Sequence, residues 1–158
     1  MLQLSQKETM LLEDQKKHEE MCIEKYTNYA NQTQDGQLKQ LFQDYAQQEQ
    51  SHLDTINQLL NGQIPDMNQA SQSQNQGGNA NQAQATAMQG AMGNQADAAL
   101  CNDMLMTEKY MSNTYDTAIF EFANAEVRQI LNHIQKEEQE HGEGIFNYMN
   151  SHGMYNPK

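Results

Sequence analysis

Apolar residues return at steps of three and four in two separate blocks of the chain. In the first block, Leu12, Cys22, Ile23, Tyr26, Tyr29 and Ala30 are followed by Leu38, Leu41, Phe42, Tyr45, Ile56, Leu59 and Leu60. In the second, Leu100, Met104, Met111, Tyr115, Ala118, Ile119 and Phe122 are followed by Val127, Ile130, Leu131, Ile134, Ile145, Tyr148 and Met149. This spacing lays one apolar stripe along an α-helix. Gln34-Asp35-Gly36 interrupts the first block as a turn, and Asn61-Gly62 followed by Pro65 ends it. Ala123-Asn124-Ala125 is a tight connection with Asn124 as N-cap, and Ser151-His152-Gly153 closes the last helix. The pattern predicts four helices of roughly 25 to 28 residues, each about 40 Å long.

Between the blocks the periodicity disappears. Residues 63–98 hold 14 Gln and Asn in 36 positions, no aromatic residue, and Asp66 and Asp97 as their charges. Such a segment lacks the apolar surface to offset chain entropy and reads as a flexible linker. The organisation is therefore a first helical hairpin over 6–62, a Gln/Asn-rich linker over 63–96 and a second hairpin over 97–151, together one bundle domain. A flexible chain of this length spans roughly 30 Å as a coil and more when extended. It can return along the bundle and leave the second and third helices parallel. That single long crossover makes the expected fold an all-α, ferritin-like four-helix bundle.

Composition narrows the function. The 158 residues carry a net charge of -12, with 9 Lys and Arg against 21 Asp and Glu. Counterion release on nucleic acid needs basic residues, so nucleic acid is not an expected partner. No apolar run approaches a membrane span, and the N-terminus is polar and acidic without an apolar signal region, so neither a membrane nor export is expected. Two cysteines make neither a disulfide framework nor a Cys-rich zinc module.

Superposing the blocks with an offset of 89 residues reveals a repeat. Glu19 falls on Glu108, Tyr26 on Tyr115, Glu49 on Glu138 and His52 on His141. Leu11/Leu100, Asp14/Asp103, Gln40/Gln129, Gln50/Gln139, Ile56/Ile145 and Asn61/Asn150 match as well. A chance coincidence of the four ligand-type positions is on the order of 10⁻³ after all offsets are tried. Each copy carries one Glu and, thirty residues later, Glu-x-x-His. Residues three apart share a helix face, and both motifs continue the apolar stripes inward. Four carboxylates and two imidazoles thus converge. Buried together they are costly unless cations neutralise them, and two divalent ions cancel four negative charges. Carboxylates with one imidazole per ion suit iron or manganese. The expected ligands are Glu19, Glu49, His52, Glu108, Glu138 and His141, with Tyr26 and Tyr115 as hydrogen-bonding support for the carboxylates. A polar core inherited through duplication, without metal, is the plain alternative.

Other candidates read more simply. His18, His133 and His152 are expected at the surface. Cys22 and Cys101 pair with Met111 and Leu12 in the repeat and read as small core residues. Glu13, Asp14, Glu20, Glu24, Glu137 and Glu140 read as a solvated acidic face.

Two resemblances follow. The ligand pattern resembles the ferritin-like superfamily, and rubrerythrin-like proteins in particular, where a Tyr also follows the first-helix Glu by seven residues. The second hairpin resembles the Coat F family of spore coat proteins. The resemblance rests on Met104-Leu105-Met106-Thr107-Glu108-Lys109, on Tyr115-Asp116-Thr117-Ala118-Ile119-Phe120-Glu121, on Glu126-Val127-Arg128 and on the run from Ile145 to Pro157. It implies a component of the spore coat, synthesised in the cytoplasm without a signal peptide, with other coat proteins and further copies of itself (a homo-oligomer such as a dimer) as partners. The metal pattern implies a di-iron or di-manganese oxidase or peroxidase as the alternative function.

Overall fold

The computed structural model describes residues 1–66 and 90–155. Among these residues all regular structure is helical: α1 (Gln6–Gln32), α2 (Gly36–Leu60), α3 (Gly90–Glu121) and α4 (Ala125–Ser151). The helix ends follow the expected signals. Ser5 and Glu8 form a reciprocal capping box on α1. Asp35 caps α2 by accepting from the amides of Gln37 and Leu38 at 2.6 and 3.1 Å. Its repeat equivalent Asn124 caps α4 by accepting from Glu126 and Val127 at 2.8 and 3.1 Å. Beyond α2, Gly62 takes φ +77°, where a side chain would crowd the Leu2 carbonyl.

One boundary differs from the sequence expectation. Helix α3 begins at Gly90, inside the span 63–96 assigned to the linker, and reaches 32 residues. Its first turns are rich in alanine, the best helix former, and local propensity there outweighs the absence of an apolar stripe. Residues 67–89 of that expected linker lie outside the described residues.

The helix directions can be read from polar ties. Lys7 pairs with Glu121 at 2.6 Å, and Lys25 with Asp103 at 2.9 Å, so α1 and α3 run antiparallel. Short turns make α1/α2 and α3/α4 antiparallel hairpins, which leaves α2 and α3 parallel. One buried acid locks each end. The Asp97 carboxylate on α3 accepts from the amides of Gln34 and Asp35 in the α1–α2 turn at 3.0 and 3.1 Å. Glu8 on α1 accepts from the Ala123 amide in the α3–α4 turn at 3.0 Å. Glu8 and Asp97 are themselves 89 residues apart, so each hairpin fastens the turn of the other in the same way.

The apolar interior falls into two clusters. One joins Leu12, Ile56, Leu59 and Met111 with Phe122, Val127, Leu131 and Ile134. The other joins Ala30, Leu38 and Phe42 with Met104, Ile145 and Met149. Both draw on all four helices. Cys22 and Cys101 are buried free thiols in them, as their repeat partners suggest. The polar residues of the two Glu-x-x-His motifs lie along the same inner faces.

Candidate metal centre

Each helix delivers its expected residues to the interior. Glu19, Glu49 and Glu138 are 0% exposed, His141 is 1% exposed, and His52 and Glu108 are 3% exposed. They form two groups, each with ligand atoms within 4.8 Å of one another: Glu19, Glu49, His52 and Glu138, and Glu49, Glu108, Glu138 and His141. Glu49 and Glu138 belong to both. These two carboxylates occupy the middle of the arrangement, with one Glu and one His to either side.

The imidazoles turn the same edge inward. His52 Nδ1 lies 3.1 Å from Glu49 and 3.0 Å from Glu138. His141 Nδ1 lies 3.0 Å from Glu49 and 3.3 Å from Glu108. The outer Nε2–H of His52 donates to Glu137, and that of His141 donates to Gln48. A donor–acceptor bond on the outer nitrogen fixes the ring and leaves Nδ1 facing the carboxylates. Tyr45 stacks on His141 with ring centroids 4.2 Å apart. Close packing of Tyr45 is possible because residue 144 is glycine; a Cβ there would overlap the Tyr45 hydroxyl.

The tyrosines act across the molecule. Tyr26 of α1 donates to Glu108 of α3, and Tyr115 of α3 donates to Glu19 of α1. Each phenol therefore serves the carboxylate of the opposite hairpin. Both rings are fully buried. Burial, together with Glu108 for Tyr26 and Glu19 for Tyr115, pushes their acidity far down, so they stay neutral donors.

Electrostatics shows how strained the group is without cations. Burial, then Glu49 and Glu138, push the Glu19 carboxyl well above its ordinary range. Burial and Glu138 push Glu108 up to about 8. Burial acts the same way on Glu49, but bonds from His141 and His52 outweigh it and pull this carboxyl down to about 2. Burial disfavours the charged imidazoles, yet the surrounding carboxylates outweigh it and raise His52 and His141 well above their usual value. The carboxylates thus favour positive charge in their midst.

The residues fit a pair of divalent cations. The Oε2 atoms of Glu19, Glu108 and Glu138 are buried without any hydrogen-bond donor. Buried acceptors normally have partners, and each orphan faces a cost that a cation removes. The donor set is all oxygen and imidazole nitrogen, which suits iron or manganese. Cys22 is no competitor, because burial and then Glu49 and Glu108 hold its thiol protonated.

Three polar side chains were not legible as part of this site. Glu137, expected on the solvated face, is half-buried against His52 and His133, the latter at 3.1 Å. Gln48 and Tyr45 have no ligand-type signature. The signal that could have found the first two is the repeat itself, since Gln48 and Glu137 are 89 residues apart. The other acids named above, Glu13, Asp14, Glu20, Glu24 and Glu140, are exposed. His18 is half-buried with its ring edge-on to Tyr110, and His152 caps α4 and stacks on Tyr148 at 4.0 Å, so neither joins the cluster.

Residues 96–158 match the family model of the Coat F domain. The match takes in most of α3 and all of α4, and with them Glu108, Glu138 and His141. No curated protein matches the chain, and neither does any solved structure. Among the described residues no helix is long and apolar enough to cross a membrane.

Proposed function

We propose that this chain is a spore coat protein whose ferritin-like four-helix bundle holds two divalent metal ions, iron or manganese. The coat assignment is supported by the Coat F match over 96–158. The ferritin-like reading is supported by α2 and α3 running parallel. The observation that carries the metal centre is the pair of buried four-residue groups sharing Glu49 and Glu138. Partners in this reading are other coat proteins and further copies of the chain.

The residues divide the work. Glu49 and Glu138, common to both groups, would help hold both ions. Glu19 with His52 would complete the holding of one, and Glu108 with His141 of the other. Glu137 and Gln48 hold the outer nitrogens, and Tyr115 and Tyr26 orient the terminal carboxylates. The apolar clusters keep bulk water from the group. When bound, the metals would supply redox chemistry toward peroxide or oxygen, which is the oxidase or peroxidase form of this function.

Metal analysis of protein produced with iron or manganese tests the centre. About two ions per chain are expected, with a higher Tm than the chelated protein, because binding to the native state stabilises it. Less than roughly half an ion per chain, with no Tm shift on chelation, overturns the metal reading. Absence of the protein from extracted spore coats overturns the coat reading.

A further inference from the structure

The two hairpins supply the same candidate ligands but set side chains of different volume beside them. Between α3 and α4 a cleft of about 310 Å³ opens to solvent. Its lining reaches Glu108 and Glu138, two of the six interior residues, and includes Lys109, Ser112, Asn113, Gln139 and Gly142. In the first hairpin the positions of Ser112 and Gly142 are held by Ile23 and Leu53, both half-buried. Where α1 and α2 carry branched aliphatic side chains, α3 and α4 carry a hydroxymethyl group and a hydrogen. A Cβ added at Gly142 meets no atom within 4 Å, so the space is open and not filled by a neighbour.

We infer that the α3–α4 cleft is the route by which a small, neutral molecule of peroxide size reaches the metal centre. The inference rests on the metal reading above. The chemistry of the lining selects the class. Asn113, Gln139 and Ser112 offer donors and acceptors without charge. Lys109 at the rim disfavours cations, and the interior carboxylates disfavour anions. A compact dipolar molecule meets neither barrier.

The test transplants the bulkier side chains of the first hairpin onto the cleft. Iron(II)-loaded full-length protein is mixed with nitric oxide, a small neutral probe, and the visible spectrum is followed. Gly142→Leu with Ser112→Ile installs larger aliphatic side chains of the kind the first hairpin carries. The double variant is expected to hold as much iron as wild type, reach the same final spectrum and bind the probe at least roughly tenfold more slowly. Gly142→Ala, a helix-favouring change that leaves most of the cleft open, is expected to bind at close to the wild-type rate. An unchanged rate in the double variant with equal iron content overturns the route while leaving the metal reading intact. Should the double variant hold less iron, Gly142→Leu alone decides on the same criterion. Wild-type protein that takes up no iron overturns the metal reading and the route together.

Discussion

The first and second hairpins share a backbone plan yet differ around the centre they build. Both contribute one Glu and one Glu-x-x-His, one tyrosine to the opposite carboxylate, and one acid to the opposite turn. They differ in what stands behind the imidazoles and in what fills the seam. His52 of the first hairpin leans on the carboxylate Glu137, and His141 of the second leans on the amide Gln48. Ile23 and Leu53 stand in the first hairpin where Ser112 and Gly142 line the cleft in the second.

The strongest test of the equivalence is at the middle carboxylates. Glu49→Gln and Glu138→Gln each remove a residue common to both groups, so each variant is expected to lose both ions. Glu19→Gln and Glu108→Gln touch one group each and are expected to lose one ion. Metal counts per chain check this. Unequal losses from Glu49→Gln and Glu138→Gln would show that the halves are not equivalent at the centre.

Acidity gives the next effect. The usual values are 4.5 for the carboxyl of Glu108 and 6.5 for the imidazole of His52. Glu108 is pushed up to about 8, so between those limits the chelated native state holds a proton that the unfolded chain releases. His52 and His141 are raised too, and their stabilisation is complete below their unfolded value and fades as pH rises through the folded one. Both effects have one sign: the chelated protein melts lower at pH 8 than at pH 5. Glu49 and Glu137 are shifted down and act below 4.5, outside this window. Metal uptake displaces protons, so the Tm gain from metal grows over the same range. Differential scanning calorimetry with and without chelator reads both trends.

Smaller effects probe the cross-ties. Tyr26→Phe and Tyr115→Phe each leave a buried carboxylate without its donor, at a cost of about 1.5–3 kcal/mol, and the two are expected to agree in urea unfolding. Glu137→Gln makes the two imidazole partners alike. It removes a half-buried charged acceptor from His52 and is expected to cost about 1 kcal/mol at neutral pH. That difference shrinks as pH falls through the lowered Glu137 value, because the carboxylate is then neutral in wild type as well.

Much of this arrangement is legible in the sequence. Steps of three and four gave the faces of all four helices, Asn124 and Asn61-Gly62 gave helix ends, and the 89-residue offset selected the six interior residues. What escaped has physical reasons. Glu137 sits one residue, about 100°, from Glu138 on the helix. An isolated α4 would expose it, and only His52 from α2 brings it into the interior. Asp97 stands at the edge of a low-complexity stretch, and its role lies in backbone amides 62 and 63 residues away. The start of α3 at Gly90 depends on alanine propensity and not on a stripe. The open seam needs side-chain volumes on two helices compared with those on two others, which periodicity does not register.

The crosswise ties have a consequence in time. Within a hairpin the partners are close in sequence and the connecting turn is short, so hairpins form early. Tyr26–Glu108 and Tyr115–Glu19 join residues 82 and 96 positions apart, and Glu8 meets Ala123 at a separation of 115. Closing such loops costs entropy before any contact repays it. The four carboxylates and two imidazoles therefore meet only when two finished hairpins dock, and in the proposed metal reading that docking step is the moment at which the site comes into being.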